Sequence, residues 1–326
     1  MIVVTGGGGF LGGAVVRQLV ERGDRVRSVQ RSDAPALRAL GVEVVRADLS
    51  DADACLEALR GADAVIHVAA KAGVWGTEAS FYAANVQATD NVVAACRALG
   101  VRKLVYTSTP SVVHTGGDVN GVDESMPVAT HFSAAYPRTK AMAESHVLAA
   151  NDARLATVAL RPHLIWGPGD TQLTARVWAR ARAGRLRLVG GGTKWIDTIF
   201  VENAAEAHLS ALDRLAPDAA CAGKAYFITQ GEPVPQKAFI DGMLAAGGLP
   251  PCEKSIPPAL AWLVGAMLEV LWTVLRRQDE PLMTRFLAEQ LATAHWYNID
   301  AARRDLGYVP RITVAEGLRR LAASRS

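Results

Sequence analysis

The chain is predicted to fold as an α/β protein, a doubly wound parallel sheet with a smaller, discontinuous C-terminal domain. Short β-branched runs alternate with longer helical patterns through the first half. A glycine cluster follows directly on the first of those runs. After Pro162 the alternation loosens into helical stretches, a Gly190-Gly191-Gly192 cluster and proline pairs. Strand–helix alternation of this kind builds a parallel sheet covered on both faces.

The expected strands are Ile2–Thr5, Arg25–Gln30, Val42–Arg46, Ala64–Val68, Lys103–Thr107 and Leu155–Leu160. They read as apolar on both faces, as strands of a parallel sheet covered by helices must be. Helical periodicity runs through Leu11–Glu21, Asp53–Leu59, Ser80–Leu99 and Tyr136–Ala150. Asp51 stands where an N-cap belongs, and Gly23, Gly61 and Gly100 where helices end. Residues 1–163 form the expected dinucleotide-binding domain and 164–326 mainly a substrate domain. Within the latter, Thr198–Val201 and Ala225–Thr229 read as strands, with about 196–230 returning to the main sheet.

Half of the 326 residues are hydrophobic and 21% are charged, which excludes a disordered chain. The net charge of +3 is small for this length and argues against a nucleic-acid partner. Cys55, Cys96, Cys221 and Cys252 match no metal-ligand spacing and read as reduced thiols; no metal is expected. A strand beginning at Ile2 leaves no room for a signal peptide, so the expected location is cytoplasmic. The apolar stretch Ala259–Leu275 contains one ionisable residue, Glu269. Its length is marginal for a bilayer and its glutamate costly there, so a buried or membrane-grazing helix is the better reading.

Gly6, Gly9 and Gly12 recur every third residue between the first strand and the first helix, with Phe10 and Leu11 opening that helix. Such a turn lets backbone approach a pyrophosphate at a helix N-terminus, whose free N–H groups and dipole favour an anion. The second strand ends in Gln30-Arg31, with no carboxylate to hold ribose hydroxyls or repel a 2′-phosphate. Arginine's planar donor fork suits phosphate, so NADP(H) is the expected cofactor. Tyr136 and Lys140 lie four residues apart on one helix face. A neighbouring ammonium lowers a phenol's pKa, which predicts Tyr136 as general acid or base. Upstream, Tyr106-Thr107-Ser108-Thr109 closes the fifth strand with hydroxyls.

These elements, with Asp48-Leu49, His67-Val68-Ala69-Ala70, Asn85-Val86-x-x-Thr89, Arg161-Pro162-x-x-Ile165-Trp166-Gly167-Pro168-Gly169 and Leu306-Gly307-Tyr308-x-Pro310, resemble the extended short-chain dehydrogenases/reductases. The resemblance implies a Rossmann fold in which Tyr136 is the proton donor, Lys140 binds nicotinamide ribose and tunes Tyr136, and Thr109 is the third hydroxyl. Ser108 and Ser111 remain alternatives to Thr109. Asp48 and Leu49 are implied at the adenine, and Ala69 and Pro162 along the cofactor. The absence of an acidic residue after Thr109 departs from the sugar-nucleotide dehydratases.

Gly73-Val74-Trp75-Gly76 and the apolar segment after Pro257-Pro258 are similar to the 3β-hydroxysteroid dehydrogenase-like branch. Within it, Tyr106–Val113 is most similar to the bacterial 2-alkyl-3-oxoalkanoate reductases of long-chain olefin biosynthesis. This implies NADPH-dependent reduction of a β-keto acid with long hydrophobic chains. The alternatives are a hydroxysteroid or sterol dehydrogenase, a sugar-nucleotide epimerase and a nucleotide-sensing regulator. The resemblance is compatible with a homodimer and with assembly alongside other olefin-pathway enzymes, and it requires no membrane contact. His163, Trp166, Lys194 and Trp195 are expected near the substrate, with Lys194 or Arg176 meeting its carboxylate. Trp262, Leu263, Met267, Val270, Leu271 and Val274, at helical spacing, are expected to line a channel for an aliphatic chain.

Overall fold

The computed structural model describes residues 1–325. Seven parallel strands form the central sheet. The first five are β1 (Ile2–Thr5), β2 (Val26–Gln30), β3 (Glu43–Arg46), β4 (Ala64–His67) and β5 (Lys103–Thr107). After β6 (Val119–Val122), which lies elsewhere, β7 (Ala156–Pro162) joins the sheet, and Lys224–Ile228 pairs with it as the edge strand. Reading across, the order is Lys224–Ile228, β7, β5, β4, β1, β2, β3. The winding direction reverses between β1 and β4, and the crevice at the carboxyl ends of those two strands is where such sheets bind ligands.

Helices α1 (Phe10–Glu21), α2 (Pro35–Arg38), α3 (Ala52–Ala58), α4 (Glu78–Tyr82), α5 (Ala88–Leu99) and α6 (Ala135–Ala149) follow in chain order. On one face α1 packs against the later helix Val201–Arg214; on the other α3, α5 and α6 pack together. Two apolar cores result, one around Val4, Val15, Ile66 and Leu160, the other around Val3, Leu59, Val92 and Leu104. The Asp51 carboxylate caps α3 by accepting from the amides of Asp53 and Ala54, both at 3.0 Å. Gly100 ends α5 at φ 71°, a conformation only glycine adopts without strain.

The expected single helix over Ser80–Leu99 is instead α4, a π-turn at Ala83–Gln87 and α5. The extra residue of a π-turn redirects side chains, and here Asn85 becomes fully buried. Ile199–Phe200 does not return to the large sheet. It pairs with Ile165–Trp166 in a two-stranded piece beside the helix that does return. The second layer of the molecule carries a four-stranded sheet of Val234–Pro235, Trp195–Ile196, His295–Tyr297 and β6. Its core is Trp166, edge-on to Phe200 and Phe239 with ring centroids 5.2 Å from each.

The apolar run after Pro257 forms the helix Pro258–Val274, and only Ala261 and Gly265 are buried in it. Gly265 abuts backbone at Thr284, where a Cβ would come within 2.6 Å. Glu269 is held by Arg285, whose backbone N and Nε each lie 2.7 Å from its carboxylate. The opposite face is open: Met267 is 64% exposed, Val270 65% and Leu271 45%. This corrects the expectation of a buried helix and of a channel wall, and is in keeping with the other form expected of the run, a helix that grazes a membrane surface. Small residues dock it on the helix Arg285–Ala292, which leaves its large side chains, Leu271 among them, facing outward. No described helix is long and apolar enough to cross a membrane.

Several histidines are buried as neutral rings. His208 donates from Nδ1 to the Ala204 carbonyl at 2.7 Å and its Nε2 accepts from Thr107 at 2.8 Å. Burial lowers its pKa to about 4, that of His163 to about 4 and that of His67 to about 3. Their unfolded value is about 6.5. A group depressed in the fold contributes stability that is present above that value and lost as pH falls toward the folded pKa. Asp197, raised to about 7 by burial, works in the opposite sense but is a single group. Denaturant midpoints should therefore fall from pH 7.5 to pH 5.5, by on the order of 1 kcal/mol per histidine per pH unit below 6.5. His208→Gln, which preserves both hydrogen bonds, should flatten that slope; an unchanged slope would show that His208 does not contribute to it.

Candidate functional site

The glycine turn sits at the carboxyl end of β1. Gly6 adopts φ 72°, its amide donates to Val29 at 2.7 Å, and its carbonyl accepts from Gly9 at 2.9 Å. Side chains have no room here. A Cβ on Gly12 would lie 2.1 Å from the Gly6 carbonyl oxygen, and one on Gly6 2.9 Å from the Ala69 backbone. The cavity beside this turn measures 410 Å³ and is lined by Gly6, Gly9, Phe10, Leu11, Gly12, Gln30, Arg31, Asp48, Leu49 and Ala69, each an expected cofactor residue. Ser32 and Lys71 line it too, without a sequence signal of their own, as does Ala70 of the His67–Ala70 motif.

Gln30 is committed to the turn. Its Oε1 accepts from the Gly8 amide at 3.2 Å and from Ser28 Oγ at 2.5 Å, and its buried Nε2 has no partner among the described residues. Arg31 is exposed at the mouth of the cavity. Asp48, the nearest carboxylate in the lining, is taken by Ser50, whose N and Oγ donate at 3.0 and 2.8 Å. The cavity thus presents free first-turn amides, a close-approach glycine turn, an unpartnered amide donor and an arginine. Those features fit a dinucleotide.

A directional hydrogen-bond chain links this crevice to α6. The Ala69 amide donates to Thr5 Oγ1 at 3.2 Å, which donates to His67 Nδ1 at 2.6 Å. His67 Nε2 donates to Thr89 Oγ1 at 3.0 Å, and Thr89 donates to the Asn85 carbonyl at 2.6 Å. The Asn85 side chain then accepts from the Lys71 amide at 2.7 Å and donates to Thr139 Oγ1 at 3.1 Å. Asn85 and Thr89 were visible in the sequence only as parts of a family pattern. The π-turn that aims Asn85 at α6 left no periodicity signal.

Lys140 is 2% exposed. Its Nζ donates to the Thr107 carbonyl at 2.6 Å and lies 4.2 Å from the centroid of the Tyr106 ring. Burial lowers its pKa to about 7, and the Glu144 carboxylate one turn further along α6 opposes that shift. Glu144 is itself paired with Arg161 of β7, at 2.9 Å from Nε and 2.5 Å from Nη2, with both side chains buried. Glu144 carries no signal in the sequence, and Arg161 only a place in the Arg161-Pro162-x-x-Ile165 pattern. Their pairing joins two distant segments and has no local signature.

Tyr136 differs from expectation in its electrostatics. Burial raises its pKa above the usual phenol value, and its hydrogen bond with Thr109 opposes this. The Lys140 ammonium is turned to the Thr107 carbonyl. Tyr136 is therefore a protonated phenol, the form that donates to an oxygen gaining negative charge. Thr109 is the hydroxyl brought to it; Thr109 also lies 3.2 Å from Ser111 Oγ, while the Ser108 hydroxyl is buried without a partner among the described residues. Tyr136, Lys140 and Thr109 thus converge at the carboxyl end of β5, and Pro162 closes the neighbouring β7.

The expected substrate residues disperse. His163 is buried, donates from Nδ1 to the Asp197 carbonyl at 2.8 Å and lies 5.9 Å from the His295 ring. Trp166 is a core residue with no exposure. Lys194 is tied to Asp118 at 2.6 Å, Arg176 to Glu280 at 2.5 Å, and Trp195 is half-exposed. The Gly73-Val74-Trp75 loop reaches across the cleft. Val74 N donates to Glu280 at 3.0 Å and Trp75 Nε1 to the Arg277 carbonyl at 3.1 Å.

A model of the 3-beta hydroxysteroid dehydrogenase/isomerase family matches residues 3–256. The chain is 56% identical to the 2-alkyl-3-oxoalkanoate reductase of Stenotrophomonas maltophilia, over 99% of this chain and 98% of the relative. It is 47% identical to the 2-alkyl-3-oxoalkanoate reductase of Shewanella oneidensis, over 98% and 85%. Among solved structures, that of gox2253 superposes with a TM-score of 0.78 at 26% identity, over 99% of this chain and 98% of that one.

Replacing Gly12 with alanine puts a methyl group into the Gly6 carbonyl and must open the turn. Dinucleotide affinity, read by quenching of tryptophan fluorescence, should fall at least about tenfold, the equivalent of one lost charge-assisted contact. Unchanged affinity would place the cofactor elsewhere.

Proposed function

The chain belongs to the 3-beta hydroxysteroid dehydrogenase/isomerase family, and from that premise we propose that it reduces the 3-keto group of long-chain 2-alkyl-3-oxoalkanoic acids to the 3-hydroxy acid with NADPH. The observation that carries this reading is the near full-length 56% identity to a 2-alkyl-3-oxoalkanoate reductase, together with a protonated Tyr136 hydrogen-bonded to Thr109. A 3β-hydroxysteroid is the second candidate substrate, favoured by the family's own description. Four unpaired, buried cysteines suit a reducing compartment, and we place the protein in the cytoplasm.

When bound, the nicotinamide supplies the hydride. The chain's own groups handle the oxygen. The carbonyl oxygen of the substrate would gain negative charge on reduction, and the Tyr136 O–H would donate its proton there. Thr109 O–H donates a hydrogen bond to the same oxygen and strengthens as the charge develops, so both act on the transition state. Lys140 is the cation behind the tyrosine, and its charge favours the phenolate left once the proton has gone. Glu144, paired with Arg161, keeps that ammonium protonated in a site whose burial works against it. NADPH is selected by Arg31, which faces the cavity mouth where Gln30 is already used by the turn.

Three outcomes follow from these roles. Tyr136→Phe should abolish turnover with the cofactor dissociation constant unchanged, in steady-state kinetics beside fluorescence titration; substantial residual activity refutes the assignment. Arg31→Ala should weaken NADPH by about ten- to 150-fold, the worth of one charge-assisted hydrogen bond, and leave NADH nearly unaffected. Equal affinities in the unaltered protein would remove the basis for NADPH. Glu144→Gln keeps hydrogen bonds to Arg161 but removes the charge that raises the Lys140 pKa. Activity on the alkaline side of the kcat/KM profile should then be lost at lower pH, and a profile that does not move sinks that role.

A further inference from the structure

A second cavity lies away from the glycine turn, between the helix Thr174–Arg182, the strand Leu188–Val189 and the helix Arg285–Ala292. It measures 250 Å³, and its walls are apolar, formed by Val177, Leu188, Val189, Leu287 and Leu291. We propose that this cavity binds the aliphatic chain of an anionic amphiphile, with Arg180 and Arg187 meeting its carboxylate.

The charge around the cavity is unbalanced. Arg176, Arg180 and Arg187 all line it. The carboxylate of Glu280 is taken by Arg176 at 2.5 Å. Arg180 donates to the Leu282 carbonyl at 2.9 Å, and Arg187 to the carbonyls of Gly184 and Leu186 at 2.9 and 2.7 Å. Neither forms an ion pair among the described residues. Arg180 is half-buried; burial and the charge of Arg176 make its protonated form less favourable there, and the Glu280 carboxylate, already paired with Arg176, opposes them only in part. A cation held at an apolar wall beside another cation is costly unless an anion joins it.

Gln236 adds an independent signal. It is 5% exposed and lines the cavity, and its side-chain amide makes no hydrogen bond among the described residues. Buried amides are satisfied in folded proteins, so one left open toward a cavity calls for a polar ligand atom. Apolar walls with a few convergent polar groups are the composition of small-molecule sites. Arginines that only drape their stems over apolar surface would need neither the hollow nor the open amide.

The required chemistry is an alkyl chain ending in a carboxylate, and it has two sources. One is the second alkyl chain of the oxo acid itself, which rests on the reductase reading. The other is a free long-chain fatty acid, which does not. Binding is therefore measured apart from turnover, by calorimetric titration of the full chain with tetradecanoate, in the presence of NADPH. A single equivalent should bind, with hexanoate and tetradecan-1-ol much weaker. Arg180→Gln combined with Arg187→Gln should weaken tetradecanoate by about tenfold or more, the scale of a lost charge-assisted contact. Leu291→Trp, which fills the hollow, should abolish binding, and Tyr136→Phe should leave it unchanged. No binding, or binding indifferent to both the arginine and the tryptophan variants, overturns the proposal. Where tetradecanoate raises KM for the oxo acid at constant kcat, the substrate's own chain is the occupant. Where it binds without moving KM, the site takes a separate fatty acid.

Discussion

The ammonium of Lys140 is held almost out of solvent, and the active-site geometry depends on the groups that make its charge tolerable there. The Thr107 carbonyl accepts one of its protons and the Tyr106 ring offers a negative face. Glu144 supplies the compensating charge, which would itself be intolerable without Arg161. Each partner comes from a different element: β5 gives the carbonyl and the ring, α6 gives Lys140 and Glu144, and β7 gives Arg161. The pair fixes α6 against the sheet, and with it the position of Tyr136. Breaking a buried ion pair by removing one member costs about 3–5 kcal/mol, because the remaining charge has no solvent. Repacking this region therefore changes chemistry and stability together.

The other anchor of α6 is neutral. From Ala69 through Thr5, His67 and Thr89 to the Asn85 carbonyl the donors all run in one direction, which fixes His67 as the Nε2–H tautomer, and the Asn85 side chain carries the link on to Thr139. Burial first, and the nearby Lys140 charge second, keep that ring unprotonated. A protonated His67 would have to donate from both nitrogens, and Thr5 would lose its acceptor. The crevice beside the glycine turn and the helix carrying Tyr136 are thus joined by a chain that works with one proton arrangement.

Local signals made much of this legible before any coordinates. The glycine turn is a matter of steric exclusion at consecutive positions, and Tyr136 and Lys140 share a face through helical spacing alone. The inner strands β1, β4 and β5 announced themselves by being largely apolar on both faces, whereas β2 and the edge strand β3 carry Arg27, Glu43 and Arg46. What stayed hidden is non-local. Nothing near Glu144 points to Arg161, and nothing near Val74 points to Glu280, which Val74 meets across the cleft. Periodicity also passed over the π-turn, since one extra residue leaves composition unchanged. The run from Pro258 to Val274 misled for a different reason: an apolar helix reads alike whether its large side chains face a core or open outward. The small residues Ala261 and Gly265, not the leucines, mark its packed side.

The most direct test is where the hydride goes. NADPH carrying deuterium at the transferable C4 position should be incubated with a long-chain 2-alkyl-3-oxoalkanoic acid, and the product analysed by mass spectrometry. The account predicts one deuterium, bonded to C3 of a 3-hydroxy acid, in a reaction that Tyr136→Phe eliminates. An unreacted oxo acid beside ready conversion of a 3-ketosteroid, or a product without deuterium at C3, would contradict it.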